Sequence, residues 1–411
     1  MQIASNNIAQ YIIAIIVFDI FVGPAIPLLS IQASIFLCVF IVILNLSHIL
    51  RKLKLPSIIF IIGVFTSTLY GLWVSPEMAD GYPSVNVENI KRCGYLFLAL
   101  AVYQATTLFC LKLNNNGRCL LARVLLFSCI FYIVFAVVFK YDYQLYESLK
   151  SYFFNVSVAV SHLEELVNAG YLSRYSFILL DPNNSGYYIL MISIFIIENL
   201  DTEKPYKLIA WITTALAPFL CLSGGVIYTI VIYLLLKFLP AVKKSIFHVI
   251  RFNTVKKQIV PVVLAIIVAI FLAITFSQEL FTVLENTDLL LRLLDSSYEQ
   301  STQNRFERYG IAFQQGFPNI IGSGYLIFID GLVFKPHSDH LRFLYSYGFI
   351  TYISLFFMFL KKDIIKKEYL FLIPAIAAFT FNSLIDETRV LFTFALLFAL
   401  ANSKQFQIQN R

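Results

Sequence analysis

Apolar runs, most of them about as long as a membrane is thick, alternate along this chain with short polar breaks. A helix rises about 1.5 Å per residue, so roughly 20 residues cross some 30 Å of hydrocarbon. A segment in lipid must satisfy its own backbone polar groups, which makes these runs helices. The pattern predicts twelve spans with loose boundaries: 8–29, 31–47, 57–74, 94–111, 120–139, 183–198, 208–222, 225–239, 259–276, 343–360, 369–384 and 390–403. The pair flanking Ser223-Gly224-Gly225 leaves almost no loop. The first span lacks a basic leader and a small-residue cleavage site, so it reads as a retained helix rather than a signal peptide. The expected fold is an all-α polytopic membrane protein, one integral membrane domain over 1–411. Its two large loops, roughly 140–182 and 277–342, carry short amphipathic helices.

Composition agrees with the pattern. The 411 residues are 59% hydrophobic and only 13% charged, far from the balance of a soluble globular chain. Cysteines 38, 93, 110, 119, 129 and 221 lie mostly in or beside the runs. None forms CxxC or a His/Cys ligand spacing, so neither a disulfide framework nor zinc is expected.

Charge then orients the chain. Lys and Arg collect in short cytoplasmic loops. With the N-terminus inside, 20 of the 31 cations fall on the cytoplasmic face, among them Arg51, Lys52, Lys243, Lys244, Lys361 and Lys362. That face carries a net +15, the other face −7, and Asp19 sits within the first span. The overall +7 is therefore a topology signal. The basic clusters are loop anchors beside lipid, so no nucleic-acid partner is expected.

Both large loops lie outside in this orientation, and loops of such length are often functional. In the first, Ser161-His162-Leu163-Glu164 matches a capping box, and Gly170 stops the helix that follows. In the second, a helix is expected from Ser301 or Thr302 to Gly316, ahead of Pro318. Arg305 and Arg308 share one face of it, and Phe306, Tyr309 and Phe313 form an apolar stripe. Arginines near the positive end of such a helix suit a phosphate, which a planar guanidinium grips in bidentate fashion. The alternative for both is snorkelling at the interface. Arg174, shortly before Asp181, faces the same side and supplies either a second clamp on a diphosphate or a surface partner for Asp181. Next to the following span stands Lys335-Pro336-His337-Ser338-Asp339-His340, then Arg342. His337 suits proton acceptance from a sugar hydroxyl; Asp339, His340 and Arg342 stand where they would position or bind substrate. A metal site needs more ligands than this cluster offers, and no Asp-x-Asp motif occurs, so no metal or cofactor is expected. Asp386-Glu387-Thr388-Arg389, at the mouth between the last two spans, reads as internal salt bridging; Asp19 is costly in lipid unless it faces a partner.

These C-terminal residues resemble the superfamily of O-antigen polymerases and O-antigen ligases, bacterial inner-membrane glycosyltransferases. The shared elements are an Arg-led helix (Arg305), a "P-x-x-G-x-G" style turn, and His-Ser followed nine residues later by Gly. Here the turn is Pro318-Asn319-Ile320-Ile321-Gly322-Ser323-Gly324, one residue longer, and His337-Ser338 precedes Gly348. The N-terminal half matches in topology more than in sequence. Arg305 to Gly316 fits the Arg-x10-Gly spacing of some polymerases, and Arg174 to Gly186 misses it by one. No arginine stands beside Ser223-Gly224-Gly225, where ligases often carry one. Both features lean towards polymerase.

The resemblance implies a GT-C-like fold with both termini in the cytoplasm and the site at the periplasmic face of a Gram-negative inner membrane. It implies a metal-independent transfer from an undecaprenyl-diphosphate-linked oligosaccharide, with inversion at the anomeric carbon. Arg305, Arg174 and His337 would be catalytic; Arg308, Asp339, His340 and Arg342 would bind substrate. Membrane lipids and a polysaccharide chain-length regulator are the expected partners. Two alternatives stay open: a ligase that moves finished glycan to lipid A-core, and a flippase for lipid-linked oligosaccharides. Against transport stand the few charges within spans and the lack of an internal repeat.

Overall fold

The computed structural model describes residues 2–26, 31–79, 84–111, 113–153, 175–200, 204–221, 223–247, 307, 309–311, 314, 319–329, 332–334, 336, 338–359, 369–381 and 387–403. The described chain is mostly helical. Helix α1 (Gln2–Val22) leads through the hairpin β1 (Ala25–Ile26) and β2 (Ile31–Gln32) to α2 (Ser34–Leu44) and α3 (Leu46–Lys52). Then come α4 (Leu55–Val74), α5 (Val85–Cys110), α6 (Asn115–Tyr141) and α7 (Tyr143–Ser151). They are followed by α8 (Pro182–Asn199), α9 (Lys204–Cys221) and α10 (Gly224–Phe247). The antiparallel hairpin β3 (Ile327–Ile329) and β4 (Leu332–Phe334) precedes α11 (Asp339–Tyr347), α12 (Phe349–Phe359), α13 (Leu372–Phe381) and α14 (Thr388–Asn402).

Polar caps stand where α6, α7 and α8 begin. Asn114 Oδ1 accepts from the Gly117 amide (2.9 Å) and Asp142 Oδ1 from that of Leu145 (2.9 Å). Asp181 takes the amides of Asn183 (2.6 Å) and Asn184 (3.1 Å), with Pro182 at the first helical position. Side-chain acceptors here satisfy amides that the first turn leaves without partners.

Helices α8 and α14 are buried almost all round and form the centre. Helix α8 packs on α6, α9, α13 and α14, and α14 also on α1 and α5. Tyr188 of α8 donates to the Phe21 carbonyl at 2.8 Å, and Glu198 accepts from Lys237 of α10 at 2.6 Å. Helix α4 is the opposite case, with Leu55, Ile62, Phe65, Leu69 and Trp73 facing outward. Such a continuous apolar face is stable only against lipid or a partner. Among the described residues, three helices, α4, α5 and α6, are long and apolar enough to cross a membrane; α2 and α3 reach that measure only as a pair bent by 77°.

Several boundaries differ from expectation. The first span ends at Val22, because Gly23 and Pro24 follow it. The second run bends at Asn45, whose Nδ2 donates back to the Ile41 carbonyl at 2.8 Å. The run expected over 343–360 is two helices, since α11 starts at Asp339 and breaks at Gly348. The span at 259–276 and the helix after Ser161 lie outside the described residues. Within 301–316, only Glu307, Tyr309, Gly310, Ile311 and Gln314 are described, and they are helical.

Candidate functional site

Where α4 ends and α5 begins, the turn over 319–324 seats against the break between α11 and α12. Gly348 adopts φ 84° and ψ 163°, a region essentially reserved for glycine. The Phe349 amide donates to the Asn319 carbonyl (3.1 Å) and the Gly324 amide to that of Ser346 (3.0 Å). Backbones touch so closely that a Cβ on Gly322 would lie 2.0 Å from the Ser346 oxygen. Ser67 of α4 ties both sides: its Oγ accepts from the Gly322 amide (3.1 Å) and donates to the Tyr347 carbonyl (3.0 Å). The spaced glycines of the C-terminal pattern are thus two sides of one clasp.

Beyond the clasp, Tyr325 stands between two arginines. Arg342 Nη1 donates to its hydroxyl at 2.7 Å, and the guanidinium carbon lies 5.1 Å from the ring centroid. Arg92 of α5 reaches the same ring at 4.9 Å, oriented through an Nε bond to Glu88 one turn earlier. Guanidinium on an aromatic face is favourable and strengthens as water is removed. Arg342 is only 4% exposed and Asp339 fully buried. Asn89, also fully buried, accepts the Leu326 amide at 3.3 Å. Ser346 Oγ donates to the Tyr325 carbonyl at 2.9 Å, so the hairpin's root is fixed to α11.

Among the expected site residues, Asp339, His340 and Arg342 share the first turn of α11. Arg342 reaches the tyrosine, and His340 turns to α12 and α13, where its Nδ1 lies 3.1 Å from the Tyr352 hydroxyl, with Phe379 beside the ring. Burial pushes the His340 pKa below the usual histidine range. Arg174, Arg305, Arg308 and His337 lie outside the described residues. Sequence reasoning missed Arg92, Asn89 and Tyr325. One signal was present: in the expected orientation Arg92, like Arg305, falls on the side that the positive-inside bias disfavours.

A second polar group gathers where α6 meets α7. Lys150 is buried, and its Nζ lies 2.6 Å from Ser176 Oγ. The Tyr146 hydroxyl lies 3.2 Å from that Oγ and donates to the Phe177 carbonyl at 2.9 Å. Phe177 itself has φ 53°, rare for a non-glycine residue. Desolvation lowers the Lys150 pKa, opposed by the more distant Glu147 and Glu387. Arg389 was expected to bridge to acids. Its guanidinium instead donates to the carbonyls of Ile20 (3.4 Å), Phe21 (3.2 Å) and Gly23 (2.7 Å), closing the C-terminal end of α1. Asp19 finds a partner in the Ser34 amide at 2.7 Å.

Compared with models of known protein families and with curated proteins, the chain matches none.

Proposed function

We propose that this protein is an integral-membrane glycosyltransferase, an O-antigen polymerase. It joins undecaprenyl-diphosphate-linked oligosaccharide repeats at the periplasmic face, within a twelve-span GT-C-like fold whose termini are both cytoplasmic. One observation carries the reading: the turn over 319–324 and the Gly348 break are locked together. Two of the elements on which the resemblance rests, the glycine turn and Gly348, therefore form one rigid unit, as a preorganised site requires. The one-sided distribution of cations supports the orientation.

In this reading a hydroxyl at the non-reducing end of one lipid-linked unit attacks the anomeric carbon of the growing glycan. A new glycosidic C–O bond forms as the bond to undecaprenyl diphosphate breaks. His337 takes the hydroxyl proton. Arg305 and Arg174, with Arg308, neutralise the charge that grows on the leaving diphosphate. Asp339, His340 and Arg342 hold α11 and the acceptor side. The diphosphate is already a good leaving group, so binding and electrostatics supply most of the acceleration.

Surface polysaccharide from a deletion strain tests the assignment. Loss of a polymerase leaves lipopolysaccharide capped by a single repeat. Bare core, with glycan stranded on its carrier lipid, would identify a ligase instead.

A further inference from the structure

We propose that α3 is an interfacial helix that binds the head groups of anionic phospholipids, with Arg51, Lys52 and Lys54 as their ligands. The inference rests on the chain being a membrane protein and not on the transferase assignment.

The bend that creates α3 is built into the fold. Helix α2 stops at Leu44 after 11 residues, a rise of about 16 Å, roughly half the hydrocarbon thickness. Asn45 closes it. Its amide donates to the carbonyls of Ile41 (3.2 Å) and Val42 (3.1 Å), and its Nδ2 also reaches Ile41 (2.8 Å). The Asn45 carbonyl in turn accepts from the Ile49 amide at 3.0 Å, which starts α3. The 77° turn therefore leaves these carbonyls paired. An apolar segment shorter than the bilayer thins it, or draws flanking cations and head groups together at its end.

Helix α3 has two faces at 3.6 residues per turn. Leu46, Ile49 and Leu50 share one, and Ser47, His48, Arg51 and Lys52 the other. Ile49 is buried against the body of the protein, whereas Leu46 and Leu50 are 47% and 57% exposed. Leu44 before the helix and Leu55 after it are exposed as well. This division is that of a helix lying in the plane of the interface, leucines towards acyl chains and cations towards head groups. A water-soluble anion would leave the leucines uncovered, so the geometry selects a lipid.

Charge then selects the kind of lipid. No Asp or Glu stands between Asp19 and Glu77. Arg51, Lys52 and Lys54 are exposed, and among the described residues none of them forms an ion pair, unlike Lys91, Arg92 and Lys237. Three cations within four positions, beside exposed leucines and without an acid, complement an anionic head group. In the proposed orientation the lipid belongs to the cytoplasmic leaflet. Helices α2 and α4 both pack on α5, so a lipid held at their junction braces this part of the bundle.

The test uses the full chain in nanodiscs of equal phosphatidylglycerol and phosphatidylcholine. Lipids retained after transfer to detergent are identified by native mass spectrometry. Wild type is expected to keep phosphatidylglycerol preferentially, and the preference should fall as salt rises. Arg51→Gln combined with Lys52→Gln should lower it about tenfold or more, at roughly fivefold for each cation beside an anionic surface. The matched control, Lys204→Gln with Lys207→Gln, removes as many charges from the start of α9, where Asp201 and Glu203 stand beside them. It should leave the preference near that of wild type. A wild type without preference overturns the proposal, as does an unchanged preference in the Arg51 and Lys52 double variant. An equal loss in the control overturns it too, because the effect would then belong to any basic loop. Displacement by inorganic phosphate as readily as by added phosphatidylglycerol would make the occupant a soluble anion and overturn the lipid assignment. Should the double variant fail to fold, a wild-type preference that salt does not weaken overturns the proposal.

Discussion

Gly348→Ala is a severe small change near the site, because it combines a backbone clash with a φ that only glycine adopts readily. The φ of 84° with ψ 163° costs a residue with a side chain about 1–3 kcal/mol. The new Cβ would also lie 2.3 Å from the Ile320 oxygen, 2.7 Å from the Gly322 nitrogen and 2.8 Å from the Ile320 carbonyl carbon. All three are backbone atoms, so no side chain can swing aside. Relief requires the 319–324 turn to move, which breaks the Phe349–Asn319 and Gly324–Ser346 bonds at roughly 1 kcal/mol each. The expected loss is about 3–5 kcal/mol, with transferase activity lost alongside. Gly94→Ala is the matched control: nothing lies within 4 Å of its Cβ, and helix propensity favours alanine by about 1 kcal/mol. The assay is size-exclusion recovery of detergent-solubilised protein after a temperature ramp, read as an apparent melting temperature because unfolding in detergent is irreversible. Gly348→Ala melting with wild type, or both alanines behaving alike, would refute the clasp.

Three further outcomes follow from buried charge. Lys150→Met is expected to raise stability by about 1–3 kcal/mol, because a desolvated ammonium gives way to an apolar chain of similar length; a less stable variant at neutral pH would contradict this. Because burial lowers the Lys150 pKa, the unfolded chain holds that proton more tightly. Stability therefore rises with pH between the folded value and the ordinary 10.5, a slope that Lys150→Met should flatten in melts taken across pH. His340 follows the same sign: stability falls as pH drops below the ordinary 6.5 towards its lowered folded pKa, and His340→Gln should remove that dependence from the melting curves. Arg389→Ala leaves the carbonyls of Ile20, Phe21 and Gly23 without their donor, at about 3–5 kcal/mol; unchanged thermal recovery would show that water replaces the guanidinium.

The apolar runs made the helices legible, because period and length alone place them. Caps such as Asp181-Pro182 were legible in principle, since that dipeptide has one preferred place at a helix start. The break at Gly348 was not, because apolar residues follow it as a span requires; only the approach of Ile320 from a separate loop reveals it. The bend at Asn45 was hidden for the same reason, since composition is unchanged across it, whereas Gly23-Pro24 was a legible stop that the length of the apolar run overrode. The site was half legible. Arg342 stood beside a motif, but Arg92 has its meaning only through Tyr325, a contact between distant parts of the chain. Arg389 misled because an arginine among acids reads as a salt bridge, whereas the end of α1 offered it three carbonyls.

The most direct test of the proposed activity is polymerisation in vitro. Purified full-length protein in liposomes is given undecaprenyl-diphosphate-linked repeat units as the only glycan substrate, and products are resolved by size. The account predicts a ladder of joined repeats with release of undecaprenyl diphosphate, abolished in folded Arg305→Ala and His337→Ala. A protein that yields no ladder, or whose folded Arg305→Ala and His337→Ala variants polymerise at the wild-type rate, would contradict it.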